Sequence, residues 1–125
     1  MKVDVISKNI ISNYNTLSQM SAQVPKGNIV STWGLRYKKD NVEAFISDTG
    51  IVQYNESEIQ IINGKIEKIK KPLFATWKKV FVNIDKMLKD TIANFDDKNL
   101  VKKRRIGFVT FTEEQIAKMS QKLPS

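Results

Sequence analysis

Ile6, Ile10, Tyr14, Leu17, Met20 and Val24 recur at steps of three and four residues, the period of one helical face. Ser7 is placed to cap this element and Pro25-Lys26-Gly27 to close it, which predicts a helix over about residues 8–23. From Ile29 the period changes to two. Ile29, Ser31, Trp33, Leu35 and Tyr37 share one face; Val30, Thr32, Gly34 and Arg36 share the other. Turn signals at 38–41, 48–50 and 56–57 then separate strands over 42–47, 51–55 and 58–62. Asn63-Gly64 follows, and Asn-Gly between apolar runs is the strongest short hairpin signal, because both positions tolerate positive φ. A two-residue loop there sets Ile62 against Lys65 and Ile61 against Ile66 on a return strand over 65–70. Residues 29–70 therefore read as a five-stranded antiparallel meander.

Pro72 suits the first turn of a helix. Leu73, Phe74, Trp77, Val80, Phe81, Ile84, Leu88 and Phe95 follow at helical spacing, within an arc of about 140°. This predicts a long amphipathic helix of about 24 residues ending near Asp96-Asp97. A polar, basic linker over 96–104 leads to a strand at Ile106–Phe111. Thr112 and Gln115 match a capping box, with Phe111 and Ile116 placed for a hydrophobic staple. Ile116, Met119 and Leu123 would face inward on a short last helix stopped by Pro124. The order is α-β-β-β-β-β-α-β-α. The pattern implies a single α+β domain over 1–125, an antiparallel sheet of about five or six strands with the long helix packed on it and short helices at both ends.

Composition adds mainly exclusions. The 125 residues are 41% hydrophobic and 27% charged, ordinary globular usage with enough chain for a real core. Cysteine is absent, so disulfides, thiolate chemistry and cysteine metal sites are excluded. Histidine is absent too, which removes triads, imidazole bases and histidine ligands. No apolar run approaches the roughly 20 residues of a membrane span, and 1–24 lacks the apolar core of a signal peptide. The five glycines are isolated and form no phosphate cradle. These features imply a soluble, cytoplasmic protein that needs no cofactor and no metal.

Charge changes the picture more. Between Lys65 and Arg105 stand 13 basic and five acidic residues, a net of +8, while the rest of the chain nets zero. A concentrated positive field draws polyanions, whether nucleic acid, an anionic membrane surface or an acidic protein face. Lysine outnumbers arginine 18 to 3, and an AT-rich genome produces the same bias, so clustering is the better evidence.

On a helical projection Lys78, Lys79, Lys86 and Lys89 lie opposite the apolar arc. Asp85 and Asp90 sit at the edges of this ridge, spaced i, i+4 from Lys89 and Lys86. The plain reading is a solvated face laced with helix salt bridges. The functional reading adds Lys68, Lys70 and Lys71 before the helix and Lys102, Lys103, Arg104 and Arg105 after it, as one basic partner-binding surface. Phe74, Trp77 and Phe81 fall on the apolar arc and read as core rather than as a base-stacking platform. The carboxylate pairs Glu56/Glu58, Asp96/Asp97 and Glu113/Glu114 show no sign of a shared cleft. The helix dipole disfavours Asp96 and Asp97 where they stand.

The sequence thus points to a small non-enzymatic binding protein that engages an acidic protein partner. Nucleic acid held without sequence preference is the alternative partner, disfavoured by the scarcity of arginine. It would show steep salt dependence and loss of binding, at unchanged fold, when Lys78, Lys86 and Lys89 become Glu. An enzyme would have to work through Asp, Glu, Lys, Ser, Thr or Tyr alone.

Overall fold

The computed structural model describes residues 3–21 and 28–111, with side chains over 5–21 and 33–103. Helix α1 (Val3–Ser21) precedes five strands, β1 (Asn28–Lys39), β2 (Val42–Ser47), β3 (Ile51–Tyr54), β4 (Ser57–Ile62) and β5 (Lys65–Lys70); helix α2 (Trp77–Ala93) and strand β6 (Val101–Phe111) follow. All strand pairs are antiparallel, in the order β5-β4-β3-β2-β1-β6. The α+β class and the element order are those the periodicity predicts. The expected capping box and final helix lie outside the described residues, as does Pro25-Lys26-Gly27.

The meander is built by its turns. Asn63 and Gly64 both take positive φ, 50° and 72°, and the register sets Ile62 against Lys65 and Ile61 against Ile66. That is the pairing a two-residue loop dictates. At the second turn the Ser47 hydroxyl oxygen accepts from the Ile51 amide at 3.1 Å, fixing the entry to β3. The Asn55 side chain accepts from the Glu43 amide at 2.8 Å across β2 and β3.

Alternation then sorts the sheet into two faces. Leu35, Tyr37, Ala44, Ile46, Val52 and Ile59 are buried on one face, beneath both helices. The helices add Ile6, Ile10, Tyr14 and Leu17 from α1, and Val80, Phe81, Ile84, Met87 and Leu88 from α2. Trp33 packs partly buried against this core, 6.2 Å from Tyr14 between ring centroids. The opposite face carries Arg36, Phe45, Gln53, Glu58 and Lys102, and no described helix covers it.

Both helices cross the strands. The Tyr14 hydroxyl donates to the Ser47 carbonyl at 2.6 Å, so α1 lies over one end of the sheet. On α2, Phe81 lies beneath Lys68 of β5, Asp90 reaches Tyr37 of β1, and Lys103 of β6 sits over Phe95 just beyond the helix. Helix α2 therefore spans the sheet from one edge strand to the other. No described helix is long and apolar enough to cross a membrane.

Several boundaries differ from the pattern. Helix α1 starts at Val3, so Ser7 is an interior residue rather than a cap, and at 19 residues it is the longer helix, not a short one. Helix α2 starts at Trp77, not Pro72. Thr76 holds extended backbone angles and its hydroxyl oxygen accepts from the Lys79 amide at 3.2 Å, while the Ala75 amide closes a turn onto the Pro72 carbonyl. Threonine is a strong cap, and proline suits a turn as well as a first helical turn. Strand β6 begins at Val101, so Lys102 to Arg104 form ladder rather than linker, opposite Arg36 to Gly34. Long β1 offers partners along its whole edge, and an edge strand tolerates consecutive lysines.

Candidate functional site

The structure divides the basic residues into three groups. The first runs along the outer face of α2, where Lys78, Lys79, Lys86 and Lys89 are all exposed. At the helical rise per residue, the span from Lys78 to Lys89 makes this ridge roughly 17 Å long. The second group joins its N-terminal end from β5. The Lys71 ammonium lies 6.0 Å from the centroid of Trp77, and that of Lys68 lies 5.8 Å from the centroid of Phe81. Lys103 closes the far end, 4.0 Å from the centroid of Phe95 and 3.1 Å from the Asp96 carboxylate.

The third group falls on the open face of the sheet. Lys102 pairs in register with Arg36, and Lys70 with Glu58, which itself accepts from Gln53 at 2.9 Å. Strand alternation thus separates Lys102 from Lys103, and these two residues do not belong to one surface. The backbone of Arg104 and Arg105 continues β6 opposite Gly34 and Trp33, and their side chains lie outside the described residues.

The acids of α2 are only partly used as the spacing suggests. Asp85 pairs with Lys89 at 3.1 Å, the expected i, i+4 bridge, but it is only 8% exposed and also accepts from Asn13 of α1 at 3.0 Å. Asp90 does not pair with Lys86. Its carboxylate accepts from the Tyr37 hydroxyl at 2.5 Å, from Asn94 at 2.8 Å and from Lys39 at 3.3 Å. Among the described residues, Lys78, Lys79 and Lys86 form no ion pair. The ridge is therefore more positive than helix spacing implies, because Asp90 is spent on tertiary contacts.

Asp96 and Asp97, disfavoured by the helix dipole, have local roles. The Asp97 carboxylate accepts from the Asn99 amide at 2.9 Å, and its carbonyl accepts from the Val101 amide at 2.8 Å. Together these bonds turn the chain from α2 into β6. Asp96 anchors Lys103.

Sequence periodicity misses the residues that stand out most in three dimensions. Leu73 is 100% exposed and Phe74 89% exposed, although both fall on the apolar arc of α2 when the helix is projected from Pro72. They lie on the turn before the Thr76 cap, between Lys70-Lys71 and Lys78-Lys79. The threonine three residues before Lys79 is the sequence signal that locates the cap and removes both residues from the helix.

Phe74 also stands at the rim of an open cleft of about 1120 Å³, between the first half of α2 and the ends of the central strands. Tyr37, Tyr54 and Ser57 line its sheet side, and Lys79, Val80 and Asn83 its helix side. The concavity continues around the strand ends to Phe45 and Lys102. Burial raises the pKa of Tyr54; burial, reinforced by the Asp90 carboxylate, raises that of Tyr37 further. Every charged residue lining the cleft is exposed. Among the described residues no group of acidic side chains is clustered to hold a metal ion. No family model, curated protein or solved structure matches the chain.

Proposed function

We propose that this is a non-enzymatic binding protein that engages an acidic protein partner along the outer face of α2. One observation carries the reading: Lys78, Lys79 and Lys86 are exposed and without carboxylate partners among the described residues, while Asp85 and Asp90 are directed into contacts with α1 and β1. A mobile ammonium row of this kind suits the scattered carboxylates of a protein face and gives fast, salt-sensitive association. Nucleic acid is less well served. The aromatic residues of α2, Trp77 and Phe81, are half-buried and buried, so the ridge itself offers phosphate contacts but no stacking platform. The charged residues lining the cleft are all exposed, which supports a binding role over catalysis by a sequestered carboxylate or lysine.

The test is a triple charge reversal, Lys78→Glu, Lys79→Glu and Lys86→Glu, with the circular dichroism spectrum and unfolding midpoint compared to those of the wild type. Lys89 is left in place because it pairs with buried Asp85. The wild-type protein should capture one dominant acidic protein, bind it directly once purified, and lose it in the folded variant. Retention of mixed-sequence RNA or DNA, with affinity falling steeply as salt rises, would overturn the acidic-protein reading in favour of nucleic acid.

A further inference from the structure

The Pro72–Ala75 turn goes beyond this reading. Scattered apolar residues are normal on protein surfaces, but two adjacent large ones without cover are not. After Leu73 and Phe74, the most exposed large hydrophobic residue described is Val5 at 51%. The pair is held out rather than left loose. The Ala75 amide donates to the Pro72 carbonyl at 3.1 Å, and the Thr76 cap fixes the start of α2 immediately afterwards. Regular structure on both sides, β5 and α2, gives the turn a firm base.

Four lysines flank the pair in the chain, Lys70 and Lys71 on one side and Lys78 and Lys79 on the other. The Lys71 ammonium lies near Trp77, at the first turn of α2 that follows the apolar tip in the chain. Lys70, Lys78 and Lys79 are exposed. A protruding apolar pair amid cations matches the layered chemistry of an anionic bilayer surface, with hydrocarbon beneath and acidic headgroups around it. A protein partner fits less well. Protein hot spots sit in packed patches with a surrounding rim, whereas Leu73 is wholly exposed and Phe74 only borders the cleft, so a partner would have to supply most of the pocket. A lipid interface opens around an apolar side chain without needing a matching shape.

We propose that the Pro72–Ala75 turn is a membrane-surface contact, with Leu73 and Phe74 entering the headgroup layer of an anionic bilayer and Lys71, Lys78 and Lys79 meeting its acidic lipids. Neither signal alone gives more than marginal, reversible attachment; together they give selective peripheral binding. Lys86, some two turns further along α2, contributes to the acidic-partner ridge and not to this tip.

The experiment uses the full chain and vesicles of phosphatidylcholine with or without phosphatidylserine, at physiological salt. Co-sedimentation should occur with the phosphatidylserine vesicles and fall at least about tenfold with pure phosphatidylcholine. The Leu73→Ala/Phe74→Ala variant should lose about tenfold or more in partitioning, with an unchanged circular dichroism spectrum, since neither side chain packs against the fold. Phe74→Trp should shift its fluorescence to the blue on adding anionic vesicles. Absence of co-sedimentation with anionic vesicles overturns the proposal. So does equal partitioning of the double alanine variant, which would reduce the contact to charge alone, and so does a purified protein partner held by Leu73 and Phe74 where vesicles are not. Lys86→Glu separates the two readings: it should weaken capture of the acidic partner and leave vesicle binding as it was.

Discussion

The Tyr37 hydroxyl donates to the Asp90 carboxylate at 2.5 Å, joining the first strand to the second helix across the core edge. Tyr37 is buried, and Asp90 is the residue that helix spacing alone pairs with Lys86. Because the phenol is buried and faces a carboxylate, its folded-state pKa lies above the ordinary value of 10.0. The stabilisation is therefore complete below pH 10 and is lost as the pH rises beyond it, where the unfolded chain ionises first. Tyr37→Phe should lower stability by about 1.5–2 kcal/mol at neutral pH, the lower part of the range for a bond to a charged group, since Lys39 and Asn94 still serve Asp90. Urea unfolding from pH 9 to 11 should show a shallower decline for the variant than for the wild type. Equal slopes would assign the decline to other groups, among them Tyr14 and Tyr54, whose pKa values burial also raises.

Lys86 and Lys89 look equivalent in sequence and differ in the structure. Lys89 meets Asp85, whose carboxylate is nearly buried between α1 and α2 and also accepts from Asn13. Lys89→Glu would set a second carboxylate against it. A loss of about 1–3 kcal/mol is expected, moderated by the exposure of Lys89 itself. Lys86→Glu should stay within about 0.5 kcal/mol of the wild type. Chemical denaturation of the two variants side by side checks this, and equal midpoints would show that the Asp85–Lys89 contact contributes little.

The start of α2 offers a separate test. Thr76→Ala removes the oxygen that accepts from the Lys79 amide and should reduce stability by about 1 kcal/mol, whereas Thr76→Ser should retain most of it. Since the cap fixes the turn bearing Leu73 and Phe74, amide exchange over residues 73–79 should quicken in the alanine variant. An unaltered exchange pattern would show that β5 and the body of α2 hold the turn without the cap.

How legible each element was depended on whether local chemistry decided it. Asn63-Gly64 fixed its hairpin because both residues accept positive φ, and Ile61 and Ile66 met as the two-residue loop requires. The inward faces of α1 and of the strands followed from periodicity because burial is what periodicity records. Leu73 and Phe74 were misplaced because they extend the apolar arc of α2, while a competing local bond, from the Lys79 amide to Thr76, starts the helix after them. Lys102 to Arg104 read as linker because lysine runs are polar, yet the long unpaired edge of β1 recruits them into the ladder. The basic surface was legible as a count, and its division between α2 and the open sheet face was not. That division depends on the pairing of β6 with β1, a contact between residues some 65 positions apart in the chain.

Gly34 records another such distant constraint. It pairs with Ser47, and the neighbouring Phe45 places its ring over the bare backbone on the open face. A Cβ at Gly34 would lie 2.8 Å from Cζ of Phe45 and 3.0 Å from Cε2. The ring edge is the movable end of a half-buried side chain, so a substitution displaces it rather than the strand. Gly34→Ala should destabilise by about 1 kcal/mol and Gly34→Val by about 2 kcal/mol, as lost contact with the ring outweighs the better strand propensity of valine. Phe45→Ala removes the obstacle. In that background Gly34→Val should be neutral or stabilising, because only the propensity difference and the entropy of glycine remain. The double-mutant cycle should therefore show a coupling of about 1–2 kcal/mol, and strict additivity would mean that the ring does not rest on Gly34 in solution.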